Sequence, residues 1–279
     1  MNGLESIALS VWQAVTLGIF EGATEFLPVS STGHLIIARK LLGLPLAGSL
    51  AFDAVLQLAA ALALVVYFRR DIMRLVGILI DTIRGRLVEQ KDKTLLGALV
   101  LGTIPAVVIG LLLQDYLDTV FRNIKIVALA LMAGSLLMYV AQKYSEKYTR
   151  KYEGQSARIS TKQGIVVGFF QALALVPGIS RSGATIAGGL FSGWSREDAV
   201  RFSFLLSVPI LLGSGLVELW KVRGLLSVAE GMPLFFGSLT SFLVAFAAIY
   251  YMIRFLKNHN LTLFIWYRVV VAVLILFLF

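Results

Sequence analysis

The sequence predicts an all-α polytopic membrane protein with two inverted-topology repeats, each a re-entrant helix–loop–helix followed by three transmembrane helices. Three observations predict it. Hydrophobic residues make up 58% of the 279, charged residues only 15%, and mean hydropathy is +0.85; soluble domains carry roughly 25% charge. Six apolar runs approach the ~20 residues a spanning helix needs. Two further apolar regions break near their middles, in the same way and at the same spacing. Length alone would allow two soluble domains, but no polar stretch is long enough for one. Residues 1–279 read as a single integral membrane domain, with repeat one about 1–150 and repeat two about 151–279.

The first element is the broken region 6–43, interrupted by Pro28 and by Ser30-Ser31-Thr32-Gly33. Each half is too short to cross alone and suits a re-entrant hairpin. Met1 to Phe20 carries Glu5 and no basic stretch, unlike a cleaved signal peptide. A span near 51–68 follows. The piece from Asp71 to Gln90 mixes charged and apolar residues and reads as an interfacial helix. Spans near 94–113 and 122–141 complete the first set.

The second broken region, 163–193, is interrupted by Pro177-Gly178 and by Ser180-Arg181-Ser182-Gly183. Spans near 199–219, 233–256 and 261–279 follow. At an offset of 150, Gly18 falls on Gly168, Phe20 on Phe170, Ser30 on Ser180, Gly33 on Gly183, Ile36 on Ile186, Gly43 on Gly193 and Phe52 on Phe202. In a glycine-rich apolar chain such identities are weak; the shared order of hairpin and three spans is stronger. A re-entrant hairpin leaves on the side it entered, and three crossings then invert the chain. The second hairpin should therefore enter from the opposite side, an arrangement that marks binding sites in many transporters.

Charge assigns the sides. The net charge of +9 could suggest nucleic acid in a soluble chain. Here 17 of the 25 Lys and Arg fall on one side, in the loops 69–93 and 142–162 and at Arg196, Arg201, Arg254 and Lys257. The other side has Arg39, Lys40, Arg122, Lys125, Lys221 and Arg223. The basic side should be cytoplasmic, leaving both termini and the mouth of the first hairpin outside. No nucleic-acid partner is expected. Trp12, Trp194, Trp220 and Trp266 fit an interfacial belt. Cysteine is absent, which excludes disulfides and thiol chemistry.

The candidate chemistry lies in the interruptions. An ionisable group in hydrocarbon costs at least ~2.5–3.5 kcal/mol, yet Glu21, Glu25 and His34 sit together in the first hairpin. Glu21 and Glu25 share one helix face and suit a divalent cation that also takes phosphate oxygens. Ser30 and Ser31 follow a proline and open the next helix, where hydroxyls and free N–H groups form an anion site, with Thr32 and Gly33 in the same turn. His34, one turn on and facing back toward the serines, could carry a proton near neutral pH. The second hairpin adds Arg181, whose guanidinium would clamp phosphate oxygens. Ser180, Ser182 and Thr185 add donors, and Gly178 and Gly183 allow close approach. Gln57, mid-span, could orient the site.

This set matches phosphoryl transfer. Plainer readings stand beside it. The two glutamates could be a water-facing pair or a proton relay. Each serine could be only an N-cap. His34 could simply be hydrogen-bonded, Arg181 could only pair with Glu21 or Glu25, and Gln57 could only bond a neighbouring helix. Asp53 and Glu218 sit near span ends, where solvated carboxylates are ordinary.

The segments Glu21 to His34 (E-G-A-T-E-F-L-P-V-S-S-T-G-H) and Pro177 to Thr185 (P-G-I-S-R-S-G-A-T) resemble the two signatures of the bacterial undecaprenyl-diphosphate phosphatases, the bacitracin-resistance family. The resemblance extends to Phe52, Gln57, Gly102-Thr103-Ile104-Pro105-Ala106 and Phe202-Ser203-Phe204-Leu205-Leu206, and length and hydrophobic layout agree over the whole chain. Ala59 departs from a common glycine and puts nothing catalytic in doubt. The resemblance implies removal of the terminal phosphate of undecaprenyl diphosphate, recycling the carrier lipid for cell-wall synthesis. It implies the outer face of the bacterial cytoplasmic membrane and a divalent cation, Mg²⁺ or Ca²⁺. It makes Glu21 and Glu25 metal and acid residues, Ser31 the nucleophile, His34 the proton-transfer partner and Arg181 the phosphate clamp. The rival reading is a lipid transporter or flippase, which needs charge matching but no nucleophile; a purely structural scaffold is disfavoured by the buried charges. Ser30 against Ser31 as nucleophile, direct attack by water, chain-length preference and a homodimer stay open.

Overall fold

A computed structural model describes residues 9–45, 50–120, 124–151, 158–222 and 231–278. Among these residues the regular elements are all helices, in the order α1 (Val11–Phe26), α2 (Ser31–Leu41), α3 (Leu50–Tyr67), α4 (Arg69–Ile83), α5 (Gln90–Val120), α6 (Ile124–Lys151), α7 (Thr161–Leu173), α8 (Arg181–Phe191), α9 (Arg196–Val222), α10 (Gly231–Asn258) and α11 (Thr262–Leu278). The two broken regions are the pairs α1–α2 and α7–α8.

Both hairpins open on the same device. The Ser10 hydroxyl accepts from the Gln13 N–H while the Gln13 amide oxygen accepts from the Ser10 N–H, at 3.2 and 2.9 Å. Ser160 and Gln163 repeat this capping box at 3.3 and 3.0 Å, again 150 residues on.

Four described helices are long and apolar enough to cross a membrane: Gln90–Leu113, Ile124–Tyr148, Arg196–Trp220 and Gly231–Asn258. The expected span at 51–68 passes that test only jointly with α4, from which it is bent by 79°. The bend follows from sequence: Arg69, Arg70 and Asp71 end the apolar run. Met73, Val76, Ile80 and Ile83 then give α4 an exposed apolar stripe at helical spacing, as an interfacial helix requires. The expected last span is shorter, its apolar helix running Thr262–Phe277.

Packing follows the 150-residue offset. The hairpin helix α1 lies along α10, and its counterpart α7 lies along α5. In bilayers helices associate through small residues that let backbones touch. Ala14, Gly18 and Gly22 form such a stripe on α1 against Gly237, Ser241 and Ala245; Gly164 and Gly168 form it on α7 against Ala98 and Gly102. A Cβ on Gly18 would stand 2.4 Å from the Gly237 carbonyl oxygen, and one on Gly168 2.2 Å from that of Gly102. α3 packs on α9, and α6 on α11. Between them lies an aromatic core in which Phe204 meets Phe26 and Phe68 edge-on at 5.5 and 6.3 Å.

Two expectations are corrected. Trp194 is no belt residue: it is 2% exposed, packs on Phe202, and donates to the Gln163 side chain at 3.2 Å. Gly189 makes room for its ring. Trp12, Trp220 and Trp266 are exposed. Nor is Asp53 an ordinary solvated carboxylate: it is paired with Arg39, which is buried in α2.

Candidate active site

The two interruptions meet at one cavity of about 210 Å³. The first hairpin supplies Glu25, Ser30, Ser31 and Thr32, and the second supplies Gln171, Gly178, Ser180 and Arg181. Gln57 of α3 faces it as well. Pro105 and Pro209 interrupt the helical bonding of α5 and α9, and the residues that follow them, Ala106 and Ile210, are part of its apolar wall.

Each hairpin turns through a serine in an unusual conformation. Ser30 has φ 75° and ψ 98°, and Ser180 has φ 73° and ψ 116°. These are the only non-glycine residues with positive φ among the described residues. Such backbones cost about 1–3 kcal/mol each and collect at functional sites. The two serines then differ. Ser180 caps α8, its hydroxyl accepting from the Gly183 N–H at 3.3 Å. Ser30 makes no side-chain cap, so the first N–H groups of α2 have no hydroxyl on them and remain available to an anion.

Glu25 is the hub. Ser31 donates its hydroxyl hydrogen to one carboxylate oxygen, Oε2, at 2.5 Å. Arg181 Nη2 donates to the other, Oε1, at 3.3 Å. Arg181 Nη1 reaches the Ser207 carbonyl at 3.5 Å, while its Nε is buried without a partner. Hydroxyl, carboxylate and guanidinium from the two hairpins thus form one chain. A carboxylate on a serine hydroxyl can take its proton, and a guanidinium nearby can stabilise a transferring phosphoryl group.

Glu21, one turn before Glu25, is 2% exposed and lies behind the cavity wall, within electrostatic reach of Glu25, Asp53 and Arg181. Among the described residues no group of three or more carboxylates and histidines could enclose a metal. Two carboxylates one turn apart fit a cation that completes its shell with phosphate oxygens and water, as Mg²⁺ commonly does. They do not fit a closed all-protein cage.

The hydrogen bonds of His34 go elsewhere than the Ser31 hydroxyl. Its Nδ1 lies 2.8 Å from the Ser30 carbonyl, and its Nε2 lies 2.7 Å from the Tyr267 hydroxyl. A carbonyl only accepts, so Nδ1 carries the hydrogen, and in the neutral ring Nε2 accepts from Tyr267. His34 faces back toward the serines, as expected, but its partner there is the Ser30 carbonyl rather than a hydroxyl, so it grips the backbone of the turn. Ser182, Thr185 and Gly33 do not reach the cavity wall. Ser182 donates to the Leu27 carbonyl at 3.1 Å, tying the hairpins together. Thr185 is bonded to Ser203 and to the Arg181 carbonyl, and Gly33 packs beside Val127 and Leu131.

The family model described as Bacitracin resistance protein BacA matches residues 14–274. The chain belongs to the BacA family. Relatives carry the name undecaprenyl-diphosphatase. One from Mycobacterium marinum is 41% identical, covering 97% of this chain and 95% of the relative. One from Mycobacterium ulcerans is 40% identical, covering 97% of each. One from an Arthrobacter species (strain FB24) is 38% identical, covering 96% of this chain and 94% of the relative.

In this BacA-family chain the sequence reading missed three site residues. Arg268 of α11 is fully buried and donates to the carbonyls of Pro28, Leu131, Gly178 and Ile179 and to the Ser135 hydroxyl, at 2.9–3.2 Å. One guanidinium therefore knots the loops of both hairpins. Gly178 makes this possible: its φ of 106° suits glycine, and a Cβ there would meet the Val127 carbonyl oxygen at 2.5 Å. The signal was in the sequence, since an arginine inside an apolar run asks for a reason as Glu21 does. Tyr267 shows no comparable signal. Gln171 stands 150 residues after Glu21, so the offset itself pointed to it.

Proposed function

We propose that the chain is an integral-membrane phosphatase that hydrolyses undecaprenyl diphosphate to undecaprenyl phosphate and inorganic phosphate. The observation that carries this is the chain Ser31–Glu25–Arg181 in a cavity between two broken hairpins. The name shared by relatives at 38–41% identity over nearly the whole chain supports the substrate.

Ser31 Oγ attacks the terminal phosphorus as Glu25 takes its proton. Arg181 and the free N–H groups at the start of α2 hold the phosphoryl oxygens while the bond to the lipid-linked phosphate breaks. The prenyl monophosphate leaves as Glu25 returns that proton to the departing phosphate oxygen. Glu25, a carboxylate again, then takes a proton from water, which attacks phosphoserine 31; inorganic phosphate is released as Glu25 gives this second proton to the Ser31 oxygen, restoring the hydroxyl. Glu21 and Glu25 would hold Mg²⁺ or Ca²⁺, which supplies positive charge to phosphate oxygens when bound. His34, with Tyr267, fixes the turn that presents Ser31. A lipid carrier would need charge matching but no hydroxyl bonded to a carboxylate, so the site favours chemistry over carriage.

The distribution of Lys and Arg supports placement in the bacterial cytoplasmic membrane with the first hairpin and both termini outside. Phosphate release from a long-chain prenyl diphosphate by purified protein, with and without chelator, tests the reading. Release that depends on the cation is expected. No release with cation present would overturn the phosphatase, and undiminished release in chelator would overturn only the cation.

A further inference from the structure

Gln171 is a buried side chain whose hydrogen-bonding groups are unmet. It is 2% exposed, it lines the cavity, and both its Nε2 and its Oε1 lack a partner among the described residues. Leaving buried polar groups unpaired is costly. Ser180, Ser182 and Thr185 of the second hairpin are bonded within the protein, whereas Arg181 Nε, in the same cavity lining, is buried and unpartnered as the Gln171 amide is. The Gln171 amide faces space that something else fills.

Its surroundings say which part of a ligand that is. The charged part of the lining is the bonded chain Ser31–Glu25–Arg181, which takes no bond from Gln171. The apolar part includes Ala174 and Leu175, which follow Gln171 on the same hairpin, with Ala106 on α5 and Ile210 on α9. A prenyl chain belongs along that apolar lining. The phosphate attached to the chain then lies nearer Gln171, and the terminal phosphate lies nearer Ser31. The 150-residue offset puts an amide here where the first hairpin has the Glu21 carboxylate. An amide N–H can donate to a phosphate oxygen that a second carboxylate would repel.

We propose that Gln171 binds the lipid-linked phosphate, the one retained in the product, by donation from its amide nitrogen. This rests on the phosphatase reading. The test uses the full-length purified protein and the variants Gln171→Glu and Gln171→Met. Measured for each are phosphate release from a long-chain prenyl diphosphate, inhibition by the prenyl monophosphate, inhibition by inorganic phosphate, and thermal midpoint.

In both variants KM and the inhibition constant of the prenyl monophosphate should rise together, by about tenfold or more, as loss of a hydrogen bond to a charged group implies. Turnover at saturation should stay within about threefold, and inhibition by inorganic phosphate should not move. Gln171→Met should melt no lower than the parent, because it removes unpaired polar atoms. A structural glutamine would instead melt lower on substitution, and that result overturns the proposal. So does weakened inhibition by inorganic phosphate alone, which would place the amide at the terminal phosphate. So do unchanged constants in both variants. Absence of phosphate release from the parent protein sinks the phosphatase reading and this one with it, whereas an active parent with unaffected variants sinks this one alone.

Discussion

At the scale of residues, Glu25 divides its two oxygens between a hydroxyl of its own hairpin and a guanidinium of the other. That division makes Glu25, rather than His34, the group positioned to take the Ser31 proton. Ser31→Ala and Glu25→Gln should each lower kcat for phosphate release by about 10²–10⁴-fold, the range for loss of a positioned acid–base group or its nucleophile. Full activity in Ser31→Ala would replace covalent catalysis by direct attack of water. Tyr267→Phe removes the partner of the His34 Nε2 without touching the Ser31–Glu25 pair, so kcat should fall less than tenfold; a loss as large as that of Glu25→Gln would return His34 to the proton path. Glu21, Glu25, Ser31 and Arg181 were legible in sequence because charges and hydroxyls in an apolar chain are energetically conspicuous. Which carboxylate oxygen meets which donor was not, because it depends on two hairpins 150 residues apart meeting through the positive-φ serines. Nothing in a one-dimensional pattern predicts φ of 75° at a serine.

At the scale of elements, the hairpins are held by backbone contact and by one arginine. Four of the six expected spans were readable from apolar run lengths, and both breaks from Pro28 and Pro177. The partner of each hairpin was not, since glycine stripes say that a helix packs closely without saying against which. Gly168→Val places branched carbon against the Gly102 carbonyl and should destabilise the solubilised protein by about 1–3 kcal/mol, as overpacking does; a melt of the purified variant checks it, and an unchanged midpoint would mean that α7 and α5 can separate freely. Arg268→Lys keeps a charge but loses the planar fork that reaches both loops. It should insert normally in membranes and lose at least about tenfold in phosphate release, as displaced catalytic groups do. Parent-like activity would show that the two loops hold their positions without that knot.

At the scale of the whole molecule, the sidedness we propose from charge is open to chemical labelling, because the chain has no cysteine of its own. Leu87, in the basic loop after α4, is fully exposed, and Leu41, at the end of α2, is 74% exposed. Single cysteines there should react with an impermeant maleimide from opposite faces: Leu41→Cys in intact cells, Leu87→Cys only once the membrane is opened. Labelling of both from one face would refute the assigned topology. The order of hairpin and spans was visible in the sequence. The exchange of partners between the halves, α1 with α10 and α7 with α5, was not.

That exchange has a consequence for biogenesis. As the ribosome feeds the chain into the membrane, α1 emerges with its glycine stripe long before α10 exists to cover it and with Glu25 before Arg181 of α8 exists to pair with it, and Arg268 arrives later still. The first hairpin must therefore wait, shielded by the insertion machinery or by lipid headgroups, until nearly the whole chain is made. A nascent chain stalled before α8 would hold Glu25 in the bilayer without its guanidinium, and one stalled before α10 would leave the glycine stripe of α1 uncovered. The enzyme's active site is thus assembled last, and its completion reports that synthesis has succeeded.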